Sequence, residues 1–251
     1  MRILDVYNYI DSFAPFSSQE KWDNSGHILG SLFNEVTRAV VCLDVNNEVV
    51  EYAAEIGANL IISHHPVIFT PVKSITGESV ILKAVMKGIA VISAHTSLDK
   101  AQGGVNDALC EALQLSYNKL YDDGKPTFLN ICYPDEAFTA AELSSLLKER
   151  LSCAVSYCDS GLPITKIGLC AGAGSDFLDD ALKLGCNAFI TGEAKYHEFL
   201  DAKEKGISLF AVGHFESEIP VIKKLTEKLN HEFNCTVFSE APFGNTVITE
   251  K

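Results

Sequence analysis

Hydrophobic and polar positions along the chain switch between two periods. Residues 3–13 carry an amphipathic helical pattern at the start. Short apolar runs then alternate with helical stretches. Arg38–Val45 reads as a strand, Asn47–Ile56 as a helix ended by Gly57, and Asn59–Ser63 as a strand. Ser79–Lys87 reads as a helix ended by Gly88, and Ile89–Ala94 as a strand. The polar run Asp122-Asp123-Gly124-Lys125-Pro126 is the best candidate for a boundary. After it come a strand at Phe128–Tyr133 and a helix opened by a capping box, Thr139 with Glu142. Strands follow at Ala154–Cys158, Lys166–Cys170, Ala188–Thr191 and Ser208–Val212, with helices between the last three. A helix near 218–230 and a strand at Thr236–Phe238 close the series. This alternation predicts an α/β protein.

One unit recurs: helix, glycine, short apolar strand. It appears at Gly57, Gly88, Gly185 and Gly206, where glycine suits the left-handed stop of a helix. Each strand is followed by polar residues, namely His64-His65, His95 through Asp99, Glu193 through His197, and His214 through Glu218. If those strands are parallel, all four clusters lie at carboxyl edges, where open α/β sheets place ligands.

Composition narrows the partners. A chain of 251 residues, 47% hydrophobic, should bury roughly 70% of its unfolded surface and so needs no disulfides for a core. A formal charge of −13 disfavours nucleic acid and anionic membranes, both of which call for Lys and Arg. No apolar run is long enough to span a bilayer, and Met1–Val6 lacks the pattern of a signal peptide. The eight cysteines form no C-x-x-C pair, and several sit inside apolar runs, pointing to core thiols in a reducing cytoplasm.

Five of the seven histidines, at 64, 65, 95, 197 and 214, fall in the strand-end clusters. With Asp99 and Glu218 they make an imidazole and carboxylate donor set suited to Zn, Fe, Mn or Ni, without the thiolates of a structural zinc. Adjacent residues on a strand face opposite ways, so His64 and His65 suit two ions better than one. Asp99 and Glu218 are the natural bridging carboxylates, and His214 and Glu218 are four apart at a helix entry. His95 is the candidate for orienting the site or moving a proton, with Lys195 and His197 behind it. Gly172-Ala173-Gly174 before Ser175 reads more simply as a helix cap than as a phosphate loop.

Five blocks carry a family resemblance. They are Trp22-Asp23-Asn24-Ser25-Gly26, Ile61 through Pro66, Ser93 through Asp99 with Gly103-Gly104-Val105-Asn106-Asp107, Ile190 through His197, and Gly213 through Glu218. In these the sequence resembles the dinuclear-metal-centre hexameric proteins, catalogued as GTP cyclohydrolase I type 2 homologues and also called NIF-three-like. His27 departs from the family pattern, standing where an aliphatic residue is expected. The resemblance implies two divalent metal ions per subunit held by His64, His65, Asp99, His214 and Glu218. It implies two interlinked α/β domains, here 1–124 with 211–251 and an inserted 125–210, and a toroidal homohexamer. The expected activity is a metal-dependent hydrolase opening the five-membered ring of GTP at C8. A non-catalytic metal-binding assembly protein and a dinuclear phosphoesterase are the alternatives.

Overall fold

The computed structural model of the protein describes residues 1–244 and is a mixed α/β chain with two sheets. It divides into two compact units, one of Met1–Ala101 with Ile222–Gly244 and one built from Gln102–Val221.

In the first unit, the amphipathic start is α1 (Ile3–Phe13), which buries Ile3, Val6 and Ile10. Five strands follow the order β1 (Gly26–Leu29), β4 (Ala90–Ser93), β3 (Leu60–Ser63), β2 (Ala39–Cys42) and β11 (Phe238–Glu240). All neighbours run parallel except β1, which pairs antiparallel with β4. Strands β2, β3 and β4 are buried at every position, the physical reason for their unbroken apolar runs. Helices α2 (Asn47–Glu55) and α3 (Val80–Met86) supply Val49, Val50, Ala53 and Ala84 to the core cluster that contains Val40, Ile61 and Val91.

The second unit orders its strands β5 (Ser116–Asp122), β6 (Lys125–Tyr133), β8 (Ile167–Cys170), β9 (Ala188–Thr191), β10 (Ser208–Ala211) and β7 (Ser156–Cys158). The central three are parallel and the flanking pairs antiparallel. The polar run at 122–126 is the turn of the β5–β6 hairpin, with Asp123 and Gly124 both at positive φ. Helix α6 (Ala140–Leu151) opens on the expected capping box. The Glu142 amide donates to Thr139 Oγ1 at 3.2 Å, and the Thr139 amide to Glu142 Oε2 at 2.8 Å. The helix expected at 218–230 is two helices, α9 (His214–Glu218) and α10 (Pro220–Glu232). Proline opens the second, where an amide would have no helical partner.

Two features fix local geometry. Gly57, Gly88, Gly185 and Gly206 all adopt φ between 69° and 79°, so the helix-glycine-strand unit rests on left-handed stops. At α5 (Val105–Leu113) the cap is Gly104, and Asn106 lies buried inside the helix, accepting from the Ala171 amide at 2.7 Å. Asp107 stands in the first turn of the same helix. It accepts from Lys119 at 2.9 Å, Asn130 at 2.9 Å and the Gly103 amide at 2.7 Å, with both charged side chains almost fully buried. Burial alone would raise its pKa, but these donors outweigh it and hold the carboxyl below its ordinary value. Among the described residues all eight cysteines are free thiols and six are buried, which makes them core filler. No helix there is long and apolar enough to cross a membrane.

Gly57→Ala should cost about 1 kcal/mol in chemical unfolding, with Gly57→Asn milder, because the penalty lies in φ and nothing crowds the position. Asp107→Asn should cost about 3 kcal/mol at pH 7 by stranding the buried Lys119 ammonium. A depressed carboxyl stabilises above its unfolded pKa of about 3.9 and loses that contribution as pH falls through the folded value. The gap between wild type and Asp107→Asn should therefore shrink in denaturation series run towards acid pH.

Candidate metal centre

Parallel strands put their carboxyl ends at one edge, and register decides which residues meet there. Ser63 of β3 pairs with Ser93 of β4, and their hydroxyls lie 2.8 Å apart. The next residues on each strand therefore emerge side by side. Both histidines of the adjacent pair lie past the last strand residue, so strand alternation no longer separates them, and their ring centroids are 4.8 Å apart. His95 joins them, at 5.2 Å from His64 and 5.5 Å from His65. Each of the three offers a ring nitrogen, and those atoms all lie within 4.8 Å of one another. Asp99, on α4 (Thr96–Lys100), places Oδ1 3.6 Å from His64 Nε2.

The outer edges of these rings are tied to oxygen acceptors. His64 Nδ1 lies 2.9 Å from the Ala94 carbonyl, His65 Nδ1 2.9 Å from Asp44 Oδ1, and His95 Nδ1 2.8 Å from Asp23 Oδ1. A backbone carbonyl has no proton to give, so the Nδ1 of His64 is the donor and its Nε2 lone pair faces the Asp99 carboxylate. Two lone-pair-bearing atoms at that separation call for a positive charge between them, either a proton or a metal cation. Acceptors on Nδ1 that direct Nε2 inward are the usual companions of ligating imidazoles.

Asp23 does more than hold His95. Its side chain is fully buried and accepts from the Thr96 amide at 3.0 Å, Thr96 Oγ1 at 2.5 Å and Ser25 Oγ at 2.9 Å. Burial would push its pKa up, yet the bonds from His95, Thr96 and Ser25 and the charge of His95 keep it well below the usual carboxylate range. Ser25 Oγ accepts in turn from the His95 amide at 3.0 Å. The 22–25 loop is thus fastened to the end of β4.

The second unit repeats the arrangement at the ends of β9 and β10, paired in register at Thr191 and Ala211. His214 opens α9, with Nδ1 2.8 Å from Glu193 Oε1 and Nε2 3.2 Å from Glu218 Oε1. Glu218 is buried. The Gly172 turn, read from sequence as a helix cap, has another reason. A side chain on Gly172 would collide with the Glu218 carboxylate and crowd His214 Nε2, and its φ of +62° also favours glycine. The Gly172 amide donates to Ser217 Oγ at 2.9 Å and its carbonyl accepts from the Glu193 amide at 3.0 Å, so the turn packs backbone against the acid. Ser175 makes no cap and donates to Glu198 at 3.2 Å.

Lys195 and His197 are exposed at the start of α8 (Tyr196–Glu204) and join neither group, and His27 and His231 are exposed elsewhere. Asp23 and Asp44 had no role assigned from sequence. Asp44 follows β2 just as the histidines follow β3 and β4, so the same strand-end rule would have found it.

Residues 1–242 match the family described as Duf34/NIF3 (NGG1p interacting factor 3). A "GTP cyclohydrolase 1 type 2 homolog" of Clostridium perfringens is 34% identical over 247 residues, covering 94% of each chain. A Helicobacter pylori protein named "GTP cyclohydrolase 1 type 2" is 32% identical over 243 residues, covering 95% of each. Among solved structures, the Staphylococcus aureus protein SA1388 superposes with a TM-score of 0.90 at 25% identity, over 100% of this chain and 99% of that one. The chain belongs to the Duf34/NIF3 family.

Proposed function

We propose that this protein is a metal-dependent hydrolase in which His64, His65, Asp99, His214 and Glu218 hold two divalent cations, of Zn, Fe, Mn or Ni type, and that its substrate is a purine nucleotide such as GTP. The observation that carries the reading is His64, buried, with Nδ1 committed to the Ala94 carbonyl and Nε2 facing the Asp99 carboxylate. The donor set of imidazoles and carboxylates without thiolate suits such cations. The Gly172 turn supports the same reading, since it leaves space for the Glu218 carboxylate where any side chain would intrude.

When bound, such cations supply Lewis acidity, polarising a carbonyl or phosphoryl group and bringing the deprotonation of water near neutral pH. The chain's own residues do the rest. Asp44, Asp23 and Glu193 fix the tilt of the imidazoles they contact. His95, locked by Asp23 at Nδ1, presents its other nitrogen for orienting water or passing a proton. The nucleotide substrate rests on the names of relatives, "GTP cyclohydrolase 1 type 2" and its homologues. A toroidal homohexamer in a reducing cytoplasm belongs to the same proposal, and sedimentation of the native protein at six times the chain mass is its check.

Protein purified without chelator should contain about two divalent ions per chain by elemental analysis, and Glu218→Ala and His65→Ala fewer than one, with unchanged circular dichroism. Gly172→Ala should weaken metal binding about 10- to 100-fold by displacing Glu218 while the unit stays folded. Metal-loaded wild type should release formate from GTP, and Asp99→Ala should not. Equal inertness of both would overturn the hydrolase reading, and phosphate release in place of formate would move it to a phosphoesterase.

A further inference from the structure

The loop that carries Asp23 also carries Trp22, the only tryptophan in the chain, and holds its indole 60% exposed. Phe69, 49% exposed, lies beside it with ring centroids 5.9 Å apart. Both rings touch the histidine cluster through the same member. Trp22 is 6.1 Å from His95 and Phe69 is 6.0 Å, each edge to face. Two large aromatic side chains turned towards water beside a metal-suited cluster need a reason, because burying a ring of this size stabilises a fold by more than most contacts.

Their exposure does not come from a slack loop. Trp22 adjoins Asp23, whose buried carboxylate accepts from the Thr96 amide and hydroxyl, Ser25 and His95. Asn24 donates from Nδ2 to the Ile68 carbonyl at 2.6 Å, tying the tryptophan loop to the residue before Phe69. The backbone that carries the indole and the phenyl ring is therefore fastened on both sides of the pair. An aromatic face held rigidly in water stacks flat rings at little cost in ordering.

Resting on the hydrolase reading above, we infer that Trp22 and Phe69 form the recognition platform of that site and take a planar nitrogen heteroaromatic ring, the base of the nucleotide, by stacking beside His95. Stacking serves any base, since each has a π face, so the platform selects for a ring and leaves the choice among bases to other groups. An edge-to-face contact with both aromatic rings also places the imidazole of His95 next to the bound base.

Because Trp22 is the sole tryptophan, its fluorescence reads this platform directly. GTP added to metal-loaded protein should quench it saturably, and inorganic triphosphate should not. By calorimetry Trp22→Ala should weaken GTP binding on the order of 10- to 100-fold, Phe69→Ala should weaken it less, and Trp22→Phe should restore most of the loss. Metal content, measured on the same samples, should be unchanged in all three. Unaltered GTP affinity in Trp22→Ala and Phe69→Ala with two ions per chain would overturn the platform alone. Wild type without metal would instead overturn the site it serves. A fluorescence change that follows protein concentration, with no response to GTP, would overturn the platform by making this face a contact between copies of the chain.

Discussion

The hydrogen bond on the outer nitrogen of each histidine in the candidate metal centre is the constraint on which the geometry of the site depends. An imidazole has two nitrogens, and its use depends on which one carries the proton. Here the backbone carbonyl of Ala94 and the carboxylates of Asp44, Asp23 and Glu193 take the Nδ1 edge of His64, His65, His95 and His214. That pattern needs acceptors at fixed places, and the sheets provide them. Parallel strands bring carboxyl ends to one edge, and the Ser63–Ser93 register lines up His64 with the carbonyl of Ala94. Secondary structure, side-chain tautomer and candidate chemistry are one chain of cause.

Acids are handled in the same spirit. Burying a carboxylate is costly unless charges or donors meet it. Asp107 meets Lys119, Asn130 and an amide, and Asp23 meets an imidazole, an amide and two hydroxyls. These are structural solutions, closed by protein donors. Asp99 and Glu218 each face an imidazole nitrogen, Nε2 of His64 at 3.6 Å and Nε2 of His214 at 3.2 Å.

Much of this was legible in the sequence. Uninterrupted apolar runs announced parallel strands buried on both faces, and Gly57, Gly88, Gly185 and Gly206 marked where helices stop. The strand-end rule then led to His64, His65, His95, Asp99, His214 and Glu218. What stayed hidden depended on register or on space. Asp123-Gly124 signals a break, but only pairing of the strands on either side makes it a hairpin. Gly172 looked like a cap because the Glu218 carboxylate that needs its missing side chain lies 46 positions later. Asp23 is one acid among many in a chain with 33, and its role appears only once β4 delivers His95 to it. Long-range partners of this sort leave no local trace.

The central claim is that these histidines are presented, by their Nδ1 anchors, to bind cations through Nε2. Anomalous diffraction from crystals of the metal-loaded protein tests it most directly. The account predicts two peaks per chain, with Nε2 of His64 and of His65 about 2.1 Å from a metal and both Nδ1 atoms still on Ala94 and Asp44. A metal on Nδ1, or no peak near either ring, would contradict it.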